Sequence, residues 1–275
     1  MTKTTDSNNP FDNNAPIGIF DSGVGGLSIA KCISEQLPHE NLVYVADTLH
    51  APYGEKSIEF IIERVNTIAH HLVEQGAKVL VIACNTATVN AVTQLREQLS
   101  IPIIGVEPAI KPAALQSESK KVAVLVTQAT SENSQFKSLI TKHQNGAEVF
   151  IQPCPGLVEK VEQGLIDNHC CDQLLRSYLS PLIAKKVDRI VLGCTHYPFL
   201  LQQIERIIEE EDASISLVET ALPVTLQLIS QLEKHNISAA KSRQGTRLFY
   251  SSQHSEYQQQ LFSKLWQSPV ALKAL

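Results

Sequence analysis

Short runs of apolar, often β-branched residues alternate with longer amphipathic stretches along most of this chain. The short runs are continuous rather than alternating, as in parallel strands that are covered on both faces. This alternation predicts an α/β fold in which right-handed helical crossovers join parallel strands. The predicted strands are 17–20, 41–46, 78–83, 101–105, 121–126, 147–151, 188–193, 214–218 and 246–250.

The stretches between the strands have helical periodicity. In 56–75, one stripe collects the apolar side chains, and Gly76 follows as a stop signal. That stripe contains Ile58, Ile61, Ile62, Val65, Ile68, Ala69 and Leu72. Further helices are predicted at 86–99, 199–211 and 219–234, and another is expected to begin near Gly25 or Gly26.

The chain has 275 residues, enough for about two domains, and 43% of them are hydrophobic. Its formal charge of −5 argues against general binding to nucleic acid or to anionic membranes. No apolar run has the length of a membrane span. Residues 1–15 are polar and lack the apolar core of a secretory signal, so they predict a disordered tail on a cytoplasmic protein.

Six cysteines are present, and in a cytoplasmic chain of this length they are expected to be reduced. They are Cys32, Cys84, Cys154, Cys170, Cys171 and Cys194. No CxxC pair occurs. Cys194 and His196 are two of the residue types that bind zinc, but two ligands do not make a zinc site.

Two apolar runs end in the same way, VIACNTAT at 81–88 and IVLGCTHYP at 190–198. Each puts a cysteine, Cys84 or Cys194, at the carboxyl end of a predicted strand, which is where α/β sheets bind ligands. Polar residues follow each thiol, and a helix N-terminus there is expected to lower the thiol pKa. His196 lies two positions after Cys194 and is a candidate base partner for it. The repetition predicts two α/β halves that face each other across a cleft.

Two opposed thiols favour one kind of chemistry over another. A cysteine protease needs a single thiol with a histidine and an oxyanion hole. A pair of thiols can instead remove a proton from one face of a carbon and return a proton to the other face, which inverts a stereocentre. The alternative is that each cysteine is a small buried side chain without a chemical role.

Two more segments have the character of ligand-binding turns. The first, 17–29, places Asp21 at a strand end before several glycines, but it matches neither the Walker loop nor G-x-G-x-x-G. Asp21 could equally serve only as a helix cap. The second, 47–57, contains Pro52, Tyr53 and Gly54, where a hydroxyl and an amide could hold a carboxylate or simply form an ordinary turn.

Four motifs together carry a family resemblance: DSGVGGL at 21–27, APYG at 51–54, ACNTA at 83–87 and GCTHYP at 193–198. In this order and spacing they resemble glutamate racemases of the cofactor-independent aspartate/glutamate racemase superfamily. The resemblance implies interconversion of L- and D-glutamate, with D-glutamate supplied to bacterial peptidoglycan. It implies neither pyridoxal phosphate nor a metal.

The resemblance also implies roles for individual residues. Cys84 would be the base toward D-glutamate, assisted by Asp21. Cys194 would be the base toward L-glutamate, assisted by His196, with Glu162 as a nearby acid that could otherwise be a solvated helix carboxylate. The implied substrate contacts are Asp21, Ser22, Tyr53, Gly54, Asn85, Thr86, Thr127, Thr130, Thr195 and His196.

The implied fold is two pseudo-symmetric, doubly wound α/β domains with the active site between them. The first domain would comprise 16–105 plus 218–275, and the second 106–217. A homodimer is the expected assembly. Two alternatives stay open: an aspartate racemase of the same superfamily, and a catalytically silent protein that binds a dicarboxylate in the same cleft. The other four cysteines are expected to be structural.

Overall fold

The computed structural model of this protein describes residues 12–275. Residues 1–11, most of the predicted tail, lie outside the described part. Residues 12–15 include a turn in which the carbonyl of Asn14 accepts a 2.7 Å hydrogen bond from Nδ2 of Asn41. Between residues 12 and 275, no helix combines the length and the apolar character needed to cross a bilayer.

The strands of residues 12–275 confirm all nine predicted strands, with ends that differ by at most two residues. In chain order they are β1 Ile17–Asp21, β2 Leu42–Ala46, β3 Val79–Ile82, β4 Ile103–Gly105, β5 Lys121–Val126, β6 Glu148–Pro153, β7 Arg189–Leu192, β8 Ser216–Val218, β9 Arg247–Ser251 and β10 Leu272–Ala274. The sequence did not predict β10, a three-residue strand with Lys273 at its centre that pairs with β9 at the sheet edge.

The α-helices are α1 Leu27–Gln36, α2 Ile58–Glu74, α3 Asn85–Gln98, α4 Ile110–Gln116, α5 Gln128–Glu132, α6 Ser134–His143, α7 Leu157–Glu162, α8 His169–Ala184, α9 Leu201–Glu210, α10 Ala221–Lys234 and α11 Glu256–Trp266. The helices predicted at 56–75, 86–99 and 219–234 are confirmed. The one predicted at 199–211 is α9, which follows a 3-10 turn at Tyr197–Leu200 containing Pro198. Ile58, in the predicted apolar stripe, is exposed at the first position of α2.

Both sheets repeat one strand order. The first sheet runs β10-β9-β2-β1-β3-β4 and the second runs β6-β5-β7-β8, with every neighbouring pair parallel. The order 2-1-3-4 of the first sheet therefore recurs as 6-5-7-8 in the second. This confirms the predicted pair of similar α/β halves. In each half, the order reverses between the first and third strands, which is where α/β sheets open a ligand crevice.

The two sheets share one apolar core. A continuous cluster of buried residues includes Ile19 of β1 and Leu27 of α1, and also Leu125 of β5 and Ile204 of α9. Separate clusters cover the opposite faces, with α2 and α3 on the first sheet and α4 and α6 on the second. Because the central strands are covered on both faces, their carboxyl ends are fixed by packing rather than by loops.

Candidate active site

The two thiols occupy equivalent places in the two halves. Cys84 follows β3 after Ala83 and is the N-cap of α3, and Cys194 follows β7 after Gly193. Since β3 and β7 are the third strands of the repeated order, each thiol lies beside the crevice of its half. Both residues are buried, at 5% and 6% exposure.

On the Cys84 side, an aspartate and a serine accompany the thiol. Oγ of Ser22 lies 3.5 Å from Sγ of Cys84. The carboxylate of Asp21 accepts hydrogen bonds from the amides of Ser22, at 2.7 Å, and of Gly26. Asp21 therefore stabilises the turn before α1 but is not the helix cap of the alternative interpretation, since α1 has no side-chain N-cap. It also lies beside the thiol.

Burial controls the acidity of this pair. It raises the pKa of Asp21 to about 6, although the charge of His196 lowers it. It also raises the pKa of Cys84 well above the usual thiol value, and the negative charge of Asp21 raises it further. The prediction that this thiol pKa is lowered is therefore wrong, because desolvation and a like charge outweigh the hydrogen bonds of Ser22 and of the Ala87 amide, at the start of α3.

On the Cys194 side, a histidine and a glutamate form a chain. Nδ1 of His196 lies 3.7 Å from Sγ of Cys194, and Nε2 lies 2.6 Å from Oε1 of Glu162. Burial alone would lower the pKa of His196, but the contacts with Cys194 and Glu162 outweigh it and raise that pKa well above the ordinary value. Glu162 is thus no solvated helix carboxylate; it is a partner of the imidazole.

Several contacts join the two halves around the thiols. The amide of Val24 donates a 2.8 Å hydrogen bond to Oε1 of Glu162. Thr195 donates from Oγ1 to Oδ2 of Asp21 at 3.3 Å, and Ser28 donates from Oγ to the carbonyl of Thr195 at 3.1 Å. These contacts bring Asp21 of the first half and the residues after β7 into one cluster.

The glycines of the first motif make room for this cluster. A Cβ atom on Gly23 would overlap the carboxylate of Glu162, and one on Gly25 would overlap the imidazole of His196. Glycine is therefore needed at these two positions because the backbone lies so close to side chains of the second half. The sequence showed the glycines but not what approaches them.

Three threonine hydroxyls meet across the cleft. Oγ1 of Thr86 lies 3.1 Å from that of Thr127 and 3.3 Å from that of Thr130, and the latter two are 3.0 Å apart. Beside Thr86, both amide atoms of the buried Asn85 side chain lack a hydrogen-bond partner among residues 12–275. Unpartnered buried amides are costly, so Asn85 is suited to bind a polar ligand.

The turn at 52–54 contributes its backbone. Tyr53 is 1% exposed, and its hydroxyl donates a 2.7 Å hydrogen bond to Asp47, so the proton of this hydroxyl is committed within the protein. Gly54 packs against Thr127, where an added Cβ would come within 3.1 Å of the threonine Cβ. A cavity of about 240 Å³ adjoins this contact, and Glu55 and Cys154 also line it.

The structure brings together residues that the sequence named separately, and it adds others. Asp21, Ser22, Glu162, Thr195 and His196 cluster around the two thiols, whereas the Tyr53 side chain points to Asp47. Thr86, Thr127 and Thr130 form a second group with Gly54. The sequence did not single out Ser28, Asp47 or Arg64. The one available clue was that Asp47 follows β2 as Asp21 ends β1, since acidic residues at strand ends are common in binding sites.

Several known proteins are similar to this chain over most of its length. The family model described as Asp/Glu/Hydantoin racemase matches residues 17–228. The glutamate racemase of Ectopseudomonas mendocina is 46% identical over 238 residues, which cover 86% of this chain and 89% of that protein.

Two solved structures share the fold over nearly the whole chain. Glutamate racemase from Francisella tularensis in complex with D-glutamate has a TM-score of 0.83 at 29% identity, covering 96% of this chain and 98% of that one. Escherichia coli glutamate racemase, in complex with L-glutamate and the activator UDP-MurNAc-Ala, has a TM-score of 0.81 at 30% identity, covering 95% and 98%. By its fold, its paired cysteine turns and these similarities, the chain belongs to the Asp/Glu/hydantoin racemase family.

Proposed function

We propose that this protein is a glutamate racemase that interconverts L- and D-glutamate by proton transfer between Cys84 and Cys194, without a cofactor. The observation that carries the proposal is the equivalence of the two thiols after β3 and β7, which lie close enough for Cys194 to raise the pKa of Cys84. Relatives named glutamate racemase at 41–46% identity support the choice of substrate.

The proton transfer conserves atoms and charge. One thiolate takes the α-proton of glutamate, and the carbanion that remains accepts a proton from the opposite thiol on its other face. The product has the inverted configuration, and the two sulfurs have exchanged protonation states. A second turnover in the same direction needs these states to be reset, and Asp21 and His196 are the groups placed to exchange protons with the thiols.

The surroundings of the two thiols differ. The raised pKa of Cys84 keeps it a protonated thiol at neutral pH, so it is ready to donate. The raised pKa of His196 keeps an imidazolium beside Cys194, with Nδ1 3.7 Å from Sγ. In this proposal Cys194 takes the α-proton from L-glutamate, and Cys84 supplies a proton to the opposite face.

Binding of a dianionic substrate relies on neutral donors in this proposal. The hydroxyls of Thr86, Thr127 and Thr130, the free amide of Asn85 and the backbone at Gly54 surround the cleft. Thr195 and Ser22 supply further hydroxyls beside the thiols. Several oriented donors in a water-poor site can hold carboxylates without a compensating cation.

The cellular role follows from the substrate. D-glutamate is a component of bacterial peptidoglycan, so we infer that the enzyme supplies cell-wall synthesis from the cytoplasm. The E. coli relative was solved with the activator UDP-MurNAc-Ala bound. We further infer a homodimer, and a division of each chain into 16–105 plus 218–275 and 106–217.

The test is proton NMR of the purified, reduced protein with L-glutamate in D2O, with a chelator present and no cofactor added. We expect loss of the α-proton signal and, in parallel, loss of the circular dichroism of the amino acid. D-glutamate should lose both signals as well. Aspartate serves as the comparison substrate, and its faster exchange would replace glutamate with aspartate in the proposal.

A folded protein that leaves the α-proton of both amino acids unchanged would contradict racemisation. Glutamate binding without exchange, measured by calorimetry, would then support the alternative of a silent dicarboxylate-binding protein.

A further inference from the structure

The buried carboxylate of Asp47, near the turn at 52–54, accepts hydrogen bonds from three different side chains. Asp47, which directly follows β2, is fully buried. Its two oxygens accept from Nε and Nη2 of Arg64, both at 2.9 Å, so the guanidinium of α2 holds it in the bidentate geometry. The hydroxyl of Tyr53, at 2.7 Å, and Nδ1 of His50, at 2.9 Å, complete the arrangement.

The arrangement fixes Asp47 as an anion. Burial alone would raise the pKa of Asp47, but the hydrogen bonds from Arg64, Tyr53 and His50 outweigh it and lower that pKa. Because every donor uses a defined lone pair, the carboxylate cannot rotate without losing a contact. The fixed carboxylate therefore restrains the side chains that are hydrogen-bonded to it. Of these, Tyr53 belongs to the turn at 52–54.

Tyr53 connects this carboxylate to the candidate active site. Its ring packs on Phe20, with centroids 6.2 Å apart, directly before Asp21. The next residue, Gly54, lies against Thr127 of the second half, which is one of the three clustered hydroxyls. A path of direct contacts thus runs from Asp47 through the turn to the predicted carboxylate-binding groups.

Among residues 12–275, the backbone of residues 52–54 makes no hydrogen bond to the sheet. Hydrogen bonds from the amide of Ala51 to Thr48, at 3.2 Å, and from that of Lys56 to Tyr53, at 3.1 Å, join residues three positions apart. Such bonds shape a turn but do not tie it to the sheet. Just before the turn, Leu49 and Thr48 are hydrogen-bonded to Ser252 and Ser251. The turn itself is attached to the first half through the side chain of Tyr53.

We propose that Asp47 and Arg64 are positioning residues for the reaction: together they hold the Tyr53–Gly54 turn so that its backbone and Thr127 stay at substrate-binding distance. The proposal deepens the proposed racemase function and rests on it. Neither residue touches substrate. Their contribution is to binding geometry, and it is therefore expected in KM rather than in kcat.

The test uses Arg64→Ala, Arg64→Lys and Tyr53→Phe in the full chain, with steady-state kinetics in both directions. For Arg64→Ala we expect KM for glutamate to rise about tenfold or more with kcat within a few-fold of wild type, since small misplacements of binding groups have effects of this size. The rise in KM should be smaller for Arg64→Lys, because lysine keeps the positive charge but cannot form the bidentate pair of hydrogen bonds.

Chemical rescue separates positioning from general damage. Arg64 is 22% exposed at its side chain, so added guanidinium ion can reach the space left in Arg64→Ala. Low millimolar guanidinium should lower KM toward the wild-type value, while sodium chloride at equal ionic strength should not. The matched control is Arg206→Ala, an ion-paired arginine of α9 whose partners are Asp172 and Glu210, and its KM should stay at the wild-type value.

A readout without activity keeps this test distinct from that of the proposed function. Amide hydrogen exchange in Arg64→Ala should be faster over 47–57 and unchanged over β3 and β7. An unchanged KM in both Arg64→Ala and Tyr53→Phe, or a loss confined to kcat, overturns the positioning role. If the wild-type protein does not racemise glutamate, the proposed function fails. If amide exchange over 47–57 is as slow in Arg64→Ala as in wild type, the ordering role fails, whatever the activity.

Discussion

Oε1 of Glu162 lies 2.6 Å from Nε2 of His196. The same oxygen accepts a hydrogen bond from the amide of Val24, in the other half of the chain. A single oxygen thus joins the imidazole beside Cys194 to the loop that begins α1. A contact between the two halves and the raised pKa of His196 therefore depend on the same carboxylate.

Replacement of Glu162 by Gln tests this link. The amide keeps the size of the side chain but removes the negative charge that helps to raise the pKa of His196. That pKa should fall, so the basic limb of the kcat/KM profile should move to lower pH. The measurement is a pH–rate profile in both directions, and an unmoved basic limb in the variant would show that Glu162 does not act on His196.

Both thiols should be needed for turnover. Cys84→Ser and Cys194→Ser each replace a thiol by a much weaker acid, so racemisation should fall by about 10² or more, the size of a lost general acid–base group. Polarimetry and α-proton exchange measure the loss, and circular dichroism checks the fold. The exposed Cys170 provides the matched control, since Cys170→Ser should keep full activity. Retention of most wild-type turnover in either variant would remove that cysteine from the mechanism.

Asp21 should set the acid limb of activity. Its pKa is raised to about 6, so it is protonated below that pH and ionised above it. If the ionised form accepts protons from Cys84, kcat/KM should rise with pH through about 6. In Asp21→Asn, kcat/KM should be lower than in wild type, and the activity that remains should not depend on pH in this range. A wild-type acid limb that persists in Asp21→Asn would assign it to another group.

Gly25 should tolerate no side chain while His196 is present. The added methyl of Gly25→Ala overlaps the imidazole ring, so the variant should lose about 1–3 kcal/mol of stability, as overpacked sites do, together with most activity. Combining it with His196→Ala removes the overlap with the imidazole and leaves only the one with Oγ1 of Thr195, 2.6 Å from the added Cβ. The double variant should therefore recover part of the stability that Gly25→Ala loses, measured by urea unfolding. Strict additivity of the two changes would contradict the contact.

Asp188 should stabilise the fold without affecting catalysis. It lies at the amino end of β7, where Ser117 and the amides of Glu118 and Ser119 donate to it. Burial alone would raise its pKa, but these bonds lower it from 3.8 to about 2. The shift corresponds to roughly 2 kcal/mol, and screening by solvent at this partly exposed site reduces it to about 1 kcal/mol.

The pH dependence of that stability has a definite sign. The folded pKa is depressed, so the contribution is present above the unfolded pKa near 3.8 and is lost as pH falls through about 2. Asp188→Asn should therefore unfold at lower urea than wild type at pH 7, and the gap should shrink by pH 3. Racemisation at pH 7 should be unchanged. The exposed Glu211 offers a control in Glu211→Gln, which should show no gap at either pH.

Local sequence patterns were sufficient to predict most of the fold. The runs that became β1 to β9 are continuous and apolar because both faces of their sheets are covered, so they stand out without knowledge of their neighbours. The three-residue β10 has no such pattern, since its place depends on β9 being there already. The paired turns at Cys84 and Cys194 were also visible, because each directly follows an apolar strand.

The sequence by itself thus determined the α/β architecture, the two halves and the chemical types gathered in the cleft, since these follow from short-range periodicity and composition. Only the tertiary structure decided which side chains meet. Thr195 contacts Asp21 across 174 residues of chain, and Val24 contacts Glu162 across 138. The raised pKa of Cys84 and the partner of the Tyr53 hydroxyl were likewise decided there, because burial and hydrogen-bond partners depend on packing between segments that are distant in sequence.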